Sequence, residues 1–154
     1  MSDRVFLQQA IDLARENVEA GGRPFAALIV RAGSVVARGT NQMLALNDPT
    51  AHAELLALRQ AGITLGRTRL EDCTVYASGQ PCPMCLAAIR LAGITQVYYA
   101  YSNQDAEPFG LSTEEIAEAL RVPPQQQPGL TFRQMKTKEE QPALYHFWQS
   151  ASQQ

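Results

Sequence analysis

Phe6, Leu7, Ala10, Ile11, Ala14 and Val18 recur at the three- and four-residue spacing of one helical face, with charged residues between them. Ser2 stands where an N-cap belongs and Gly21-Gly22 closes the pattern, so the spacing predicts a first helix between them. Two short β-prone runs follow, Phe25–Val30 and Val35–Thr40, separated by Arg31-Ala32-Gly33-Ser34, the arrangement of a hairpin with glycine in its turn. Residues Asn41 to Pro49 read as loop. Thr50 is placed to cap a helix through Ala61, with Ala51, Leu55 and Leu58 facing inward and Gly62 at its end. His52 and Glu54 then share a first helical turn, their side chains diverging by about 200° around its axis.

Cys73–Ser78 predicts a third strand, broken by Gly79-Gln80-Pro81 before a helix over Pro83–Leu91, where Pro83 suits the first helical position. Gly93 stops that helix and Gln96–Tyr101 predicts a fourth strand. Strand, helix and strand in this order fit a parallel crossover, so the layout is α/β. Farther on, Ser112-Thr113-Glu114-Glu115 has the form of a capping box opening a helix to about Leu120. Pro123-Pro124, three glutamines and Pro128-Gly129 make a loop, Leu130–Met135 predicts a fifth strand, and Pro142 opens a last helix carrying Leu144, Tyr145, Phe147 and Trp148. No internal repeat or second domain is visible, and residues 1–154 read as a single domain.

Within this frame, His52-Ala53-Glu54 and Pro81-Cys82-Pro83-Met84-Cys85 carry the chemistry. A catalytic zinc takes three protein ligands and leaves a fourth tetrahedral position open. His52, Cys82 and Cys85 supply the right number and type. Both thiols fall at a predicted helix start, where free amides and the helix dipole favour the deprotonated sulfur that binds metal. Glu54 is then a spare carboxylate, able to take a proton from water and pass it to a ring nitrogen. Asn41, between a strand and a loop, offers a carboxamide to read a ring edge, or serves only as a turn residue. Phe25 can pack on a flat base or in the core.

Other readings weaken when the motifs are taken together. Cys-x-x-Cys alone fits a dithiol redox pair. A closed structural zinc site needs a fourth protein ligand, but Cys73 lies in a predicted buried strand and His146 in a distant tail. The net charge of −2 lacks the basic excess of nucleic-acid binders, although Arg59, Arg67, Arg69 and Arg90 could form a local patch. The longest uninterrupted apolar run, Phe25 to Val30, is far shorter than the roughly 20 residues of a membrane span. Charged residues from Asp3 to Glu16 break up any secretory h-region, and three cysteines do not make a disulfide framework, so a cytoplasmic location is expected.

His-x-Glu with Pro-Cys-x-x-Cys is the zinc deaminase signature. In the setting Asn47-Asp48-Pro49-Thr50-Ala51-His52-Ala53-Glu54 and Cys82-Pro83-Met84-Cys85-Leu86, the chain resembles the cytidine deaminase-like superfamily, in particular its bacterial guanine deaminase branch, from residue 1 to about 105. The resemblance implies a three-layer α/β/α sandwich with a five-stranded mixed sheet, bound Zn2+, and base contacts from Asn41 and Phe25. It also implies a homodimer in which the segment from about residue 105 is exchanged between subunits. Two features depart from the family. Gln80 stands where Glu usually precedes Pro-Cys, and Asp105-Ala106-Glu107-Pro108-Phe109-Gly110-Leu111 replaces an acidic Gly-Phe-Asp-Asp stretch that contacts the base. Glu107 takes the place of the missing acid if its loop turns inward, and is otherwise a solvated charge. Related tRNA adenosine deaminases share both motifs but are usually basic and have a glycine-rich segment after the fourth strand.

The resulting expectation is hydrolytic deamination of a small aminated ring, guanine to xanthine and ammonia first. Alternatives are a cytosine-like pyrimidine, a triazine, a nucleoside or adenosine in tRNA. From other classes, a non-catalytic binding module on the same fold or a Cys-x-x-Cys redox protein is retained.

Overall fold

A computed structural model describes residues 2–139 and 142–152 of the chain. The chain divides into two units, Met1–Ala119 and Leu120–Gln154. The first opens with α1, Asp3–Glu19, where Ser2 caps the helix by accepting from the Val5 N–H. β1 (Ala26–Arg31) and β2 (Ser34–Thr40) form the expected hairpin, turned by Ala32 and Gly33 at φ 49° and 78°. A one-turn helix, α2 (Met43–Leu46), occupies part of the segment read as loop. α3 (Ala53–Leu65), β3 (Cys73–Gly79), α4 (Pro83–Leu91) and β4 (Gln96–Tyr101) follow. The unit closes with two short helices, α5 (Asn103–Ala106) and α6 (Glu114–Ala119).

The strands order as β2-β1-β3-β4, with β1 antiparallel to both neighbours and β3 parallel to β4 across α4. Leu28, Val30 and Tyr76 pack with Phe6 and Ala10 of α1 on one face. Ala27, Ile29 and Val75 pack with α3 alanines and Ile89 of α4 on the other. Because β1 is covered on both faces, it reads as a continuous apolar run rather than an alternating one. Fully burying Leu28 and Ile29 stabilises the sheet by about 1.5–3 kcal/mol each.

The sheet has four strands among the described residues, not the five expected. Leu130–Met135 forms no strand: a β-prone run becomes one only where its amides and carbonyls find a ladder, and this segment pairs with none. Its unit contains a 3-10 turn at Pro124–Gln126 and α7 (Ala143–Ser152), the expected last helix.

Four local expectations also shift. α3 starts after His52 rather than after Thr50, because the Thr50 hydroxyl donates to Asp48 Oδ1 at 2.7 Å and caps nothing. It runs past Gly62 to Gly66, which takes the left-handed conformation at φ 68°. Its fully buried apolar residues are Ala53, Ala57 and Ala61, since it lies directly against Gly39 of β2. Of the expected inward residues, Ala51 is buried and Leu58 packs against the core, whereas Leu55 is only half-buried. A Cβ on Gly39 would come within 2.2 Å of the Ala53 carbonyl oxygen. On α1, Val18 is exposed and Asn17 points inward instead.

Candidate metal centre and active-site cavity

Two helix starts meet at one point. His52 is the N-cap of α3, with extended φ −78° and ψ 152°, and Cys82 is the N-cap of α4, at φ −71° and ψ 168°. Pro83 pre-sets the first turn of α4, which carries Cys85 three residues after Cys82. The ligand atoms of His52, Cys82 and Cys85 all lie within 4.8 Å of one another. His52 Nδ1 is 3.5 Å from each sulfur. Zinc–sulfur bonds near 2.3 Å and zinc–nitrogen bonds near 2.0–2.1 Å at tetrahedral angles put nitrogen and sulfur about 3.6 Å apart. A single ring nitrogen makes one good hydrogen bond, not two equal ones, so the equal distances fit a shared cation. The three residues are thus positioned to bind zinc through Nδ1 and two thiolates.

The charges agree with the geometry. A hydrogen bond from Cys85, with His52 adding, pulls the Cys82 thiol down to about 4, so Cys82 is a thiolate at neutral pH. Cys85, as the donor in that pair, is pushed up. His52 is raised, chiefly by its contact with Cys82. A divalent cation displaces these protons and stabilises both sulfurs as thiolates.

Glu54, in the first turn of α3, is 6% exposed, and burial raises its carboxyl above the usual carboxylate range. It lines a cavity of about 580 Å³ together with His52, Cys82, Phe25 and Asn41, within the approximately 300–1,000 Å³ usual for small-molecule sites.

Asn41 is 5% exposed, and its bonds leave one group free. Its N–H donates to the Phe25 carbonyl at 3.0 Å. Its Oδ1 accepts from the Met43 N–H at 3.1 Å, which fixes the orientation of the amide. Among the described residues the Nδ2 group has no hydrogen-bond partner, and it offers donors to the cavity that Asn41 lines. Phe25 packs against the core and also lines the cavity, its ring lying against Gly79.

Glu107 is exposed and lines a separate cleft rather than this cavity. Gln80 lines both. Its side-chain oxygen accepts the Asn103 N–H at 2.9 Å, and Asn103 Oδ1 in turn accepts from the Thr113 N–H and hydroxyl, each at 3.3 Å. The residue before the metal loop thereby anchors the 103–113 segment, whose Gly110, Leu111, Ser112 and Thr113 line the cavity. The sequence reading missed these lining residues, and nothing in local pattern marks them. Among the described residues, Cys73 is a core thiol outside the ligand cluster, and His146 is exposed on α7.

Fold and site together define a zinc-dependent hydrolytic deaminase. Residues 1–101 match the model of the cytidine and deoxycytidylate deaminase zinc-binding region, and the chain belongs to that family. The chain is 44% identical over 124 residues to the guanine deaminase of Bacillus subtilis, covering 80% of each protein. The solved guanine deaminase structure from that organism superposes with a TM-score of 0.90 at 39% identity, over 97% of this chain and 95% of that one. A tRNA-specific adenosine deaminase of Aquifex aeolicus is 37% identical over 100 residues, 65% of this chain and 66% of its own. No helix among the described residues is long and apolar enough to cross a membrane.

Proposed function

We propose that this protein deaminates a free aminated nucleobase, and that guanine, which with water gives xanthine and ammonia, is its first substrate. The observation that carries the reading is the convergence on one cavity of a buried carboxyl, a free carboxamide donor and an aromatic ring beside the three ligands. The similarity to guanine deaminase over most of both chains supports the choice of ring.

Zinc, when bound, supplies a Lewis acid that acidifies water at neutral pH. Glu54 takes one proton of the attacking water and donates it to the ring nitrogen beside the amine-bearing carbon as the C–O bond forms. It then takes the second proton from the added hydroxyl and delivers it to the amino group, which leaves as ammonia as the C–N bond breaks and the carbonyl forms. Its raised affinity for protons keeps it poised to hold as well as release one. Asn41 Nδ2 donates to an acceptor on the ring edge, and the Phe25 ring packs on the base. Glu107 is exposed and does not line this cavity, and it takes no part unless its loop turns inward.

One observation favours a second ring. Glu54 and Asp105 supply the only carboxylates lining the cavity among the described residues, and Asp105 is engaged with the Ser102 N–H at 2.9 Å. With no free acid besides Glu54 among those lining residues to accept from the donors of guanine, a base presenting acceptors is the alternative. Ammonia release from guanine, adenine, cytosine, their nucleosides, aminotriazines and tRNA separates these cases. Activity on guanine supports the first reading; activity confined to tRNA or to nucleosides overturns it.

The net charge of −2 makes a polynucleotide a poor substrate. Three free thiols, two of them at the metal centre, suit a reducing cytoplasm. We also propose a homodimer that exchanges its C-terminal segments. Phe132, Leu144, Tyr145, Phe147 and Trp148 are all at least half exposed within their own chain, an apolar surface that a second copy would cover.

A further inference from the structure

Asn17 is a polar residue at a buried position of α1, 7% exposed, and it does not line the cavity. Its carboxamide nevertheless ties together the two segments that carry the base-side wall. Nδ2 donates to the carbonyl of Arg23 at 2.8 Å and to the carbonyl of Asn41 at 3.0 Å. Oδ1 accepts from Gln42 Nε2 at 3.4 Å. The Arg23 carbonyl also receives the Phe25 N–H at 2.8 Å, and the Phe25 carbonyl receives the Asn41 N–H at 3.0 Å. Asn17 is therefore the side chain that closes a ring of bonds through Arg23, Phe25 and Asn41. Gly22 completes the fit: a Cβ there would come within 2.5 Å of Asn17 Nδ2, so the chain must pass over the amide without a side chain.

We propose that Asn17 is a positioning residue for substrate: by holding the Arg23 and Asn41 carbonyls, it fixes where Phe25 and the free Asn41 amide meet the base. The proposal rests on the reading of Asn41 and Phe25 as base contacts. Aspartate has the same shape but no hydrogen to donate, so Asn17→Asp turns two attractive contacts into repulsive ones while still accepting from Gln42. Alanine removes the amide donor from the Asn41 carbonyl and leaves the Arg23 carbonyl with the Phe25 N–H alone. Loss of a buried bond of this kind changes binding by about tenfold.

The test is kcat and KM on the substrate identified by ammonia release, with zinc content and Tm measured alongside, for Asn17→Ala, Asn17→Asp, Gly22→Ala, Asn41→Ala and the Asn17→Ala/Asn41→Ala pair. Gly22→Ala disturbs the same amide from outside, because the three atoms nearest a Cβ at that position all belong to Asn17. It carries the test if the Asn17 variants do not fold. The proposal predicts KM raised about tenfold with kcat within about threefold and zinc retained, and a far smaller added effect of Asn17→Ala once Asn41 is alanine. A lower Tm with unchanged KM, or effects that multiply fully in the pair, overturns it. A normal KM for Asn41→Ala instead refutes the base-contact reading of Asn41. A raised KM there beside a normal one for Asn17→Ala refutes the positioning proposal alone.

Discussion

His52 and Glu54 line the same cavity although a single residue separates them, because helix α3 begins between them. On a continuous helix the two side chains would point about 200° apart. His52 instead stays extended as the N-cap, while Glu54 is already helical and buried, and the change of backbone between them turns both toward one point. The carboxyl can then serve the water and ring without ligating the metal.

Glu54→Gln keeps the size of this side chain and removes its ability to carry a proton. We expect turnover to fall by about 10²- to 10⁴-fold, the usual contribution of a general acid–base group, with zinc content unchanged. Steady-state ammonia release and metal analysis on the same preparation check it. Full activity would remove Glu54 from the proton path.

Metal affinity should rise with pH. Cys82 is ionised at neutral pH, whereas His52 and Cys85 are both raised in the free site and must lose protons to bind. Proton competition is therefore strongest at low pH and relaxes as pH rises. Chelator competition between about pH 6 and 8 should show tightening affinity, and calorimetry in buffers of different ionisation enthalpy should show proton release. Binding that is independent of pH would contradict the charge assignment.

Gly39 sets how closely α3 approaches the sheet, and so where His52 stands. In Gly39→Ala the new methyl meets the Ala53 carbonyl and the Ala57 nitrogen, both backbone atoms that cannot rotate away. Overpacking of this sort costs about 1–3 kcal/mol. Because Ala53 follows His52 directly, zinc should be lost together with Tm. A folded variant with full zinc content would show that α3 can shift without moving its N-cap.

Much of the site was legible because its chemistry is local. The ligands and Glu54 sit in short segments at helix starts, and Pro83 marks one of those starts directly. What escaped depends on partners far away in sequence. Thr50 reads as a cap but gives its hydroxyl to Asp48, and Leu55 reads as an inner residue of α3 where the close approach of Gly39 selects an alanine stripe. Asn17 follows Ala10 and Ala14 in helical phase and could have been noticed as a polar residue at a core position, but its partners lie on two other segments. Leu130–Met135 has strand composition without a strand to pair with, and composition alone does not supply one.

Tyr76 ties β3 to α1: its hydroxyl donates to Asp3, and its ring packs with Phe6 at 5.0 Å. Burial, with the Asp3 contact adding, raises the phenol above its usual range. The unfolded chain ionises first, so this contribution is present below about pH 10 and lost as pH rises above it. Tyr76→Phe should cost about 1 kcal/mol near neutral pH. The gap to the parent should narrow at higher pH, as read by urea unfolding; a constant gap would place the phenol on solvent.

Zinc K-edge X-ray absorption on the protein as purified tests the metal centre most directly. The account predicts one nitrogen near 2.0–2.1 Å, two sulfurs near 2.3 Å and one further light-atom scatterer from solvent. A shell of four protein ligands, or zinc that leaves on gel filtration at neutral pH, would contradict it.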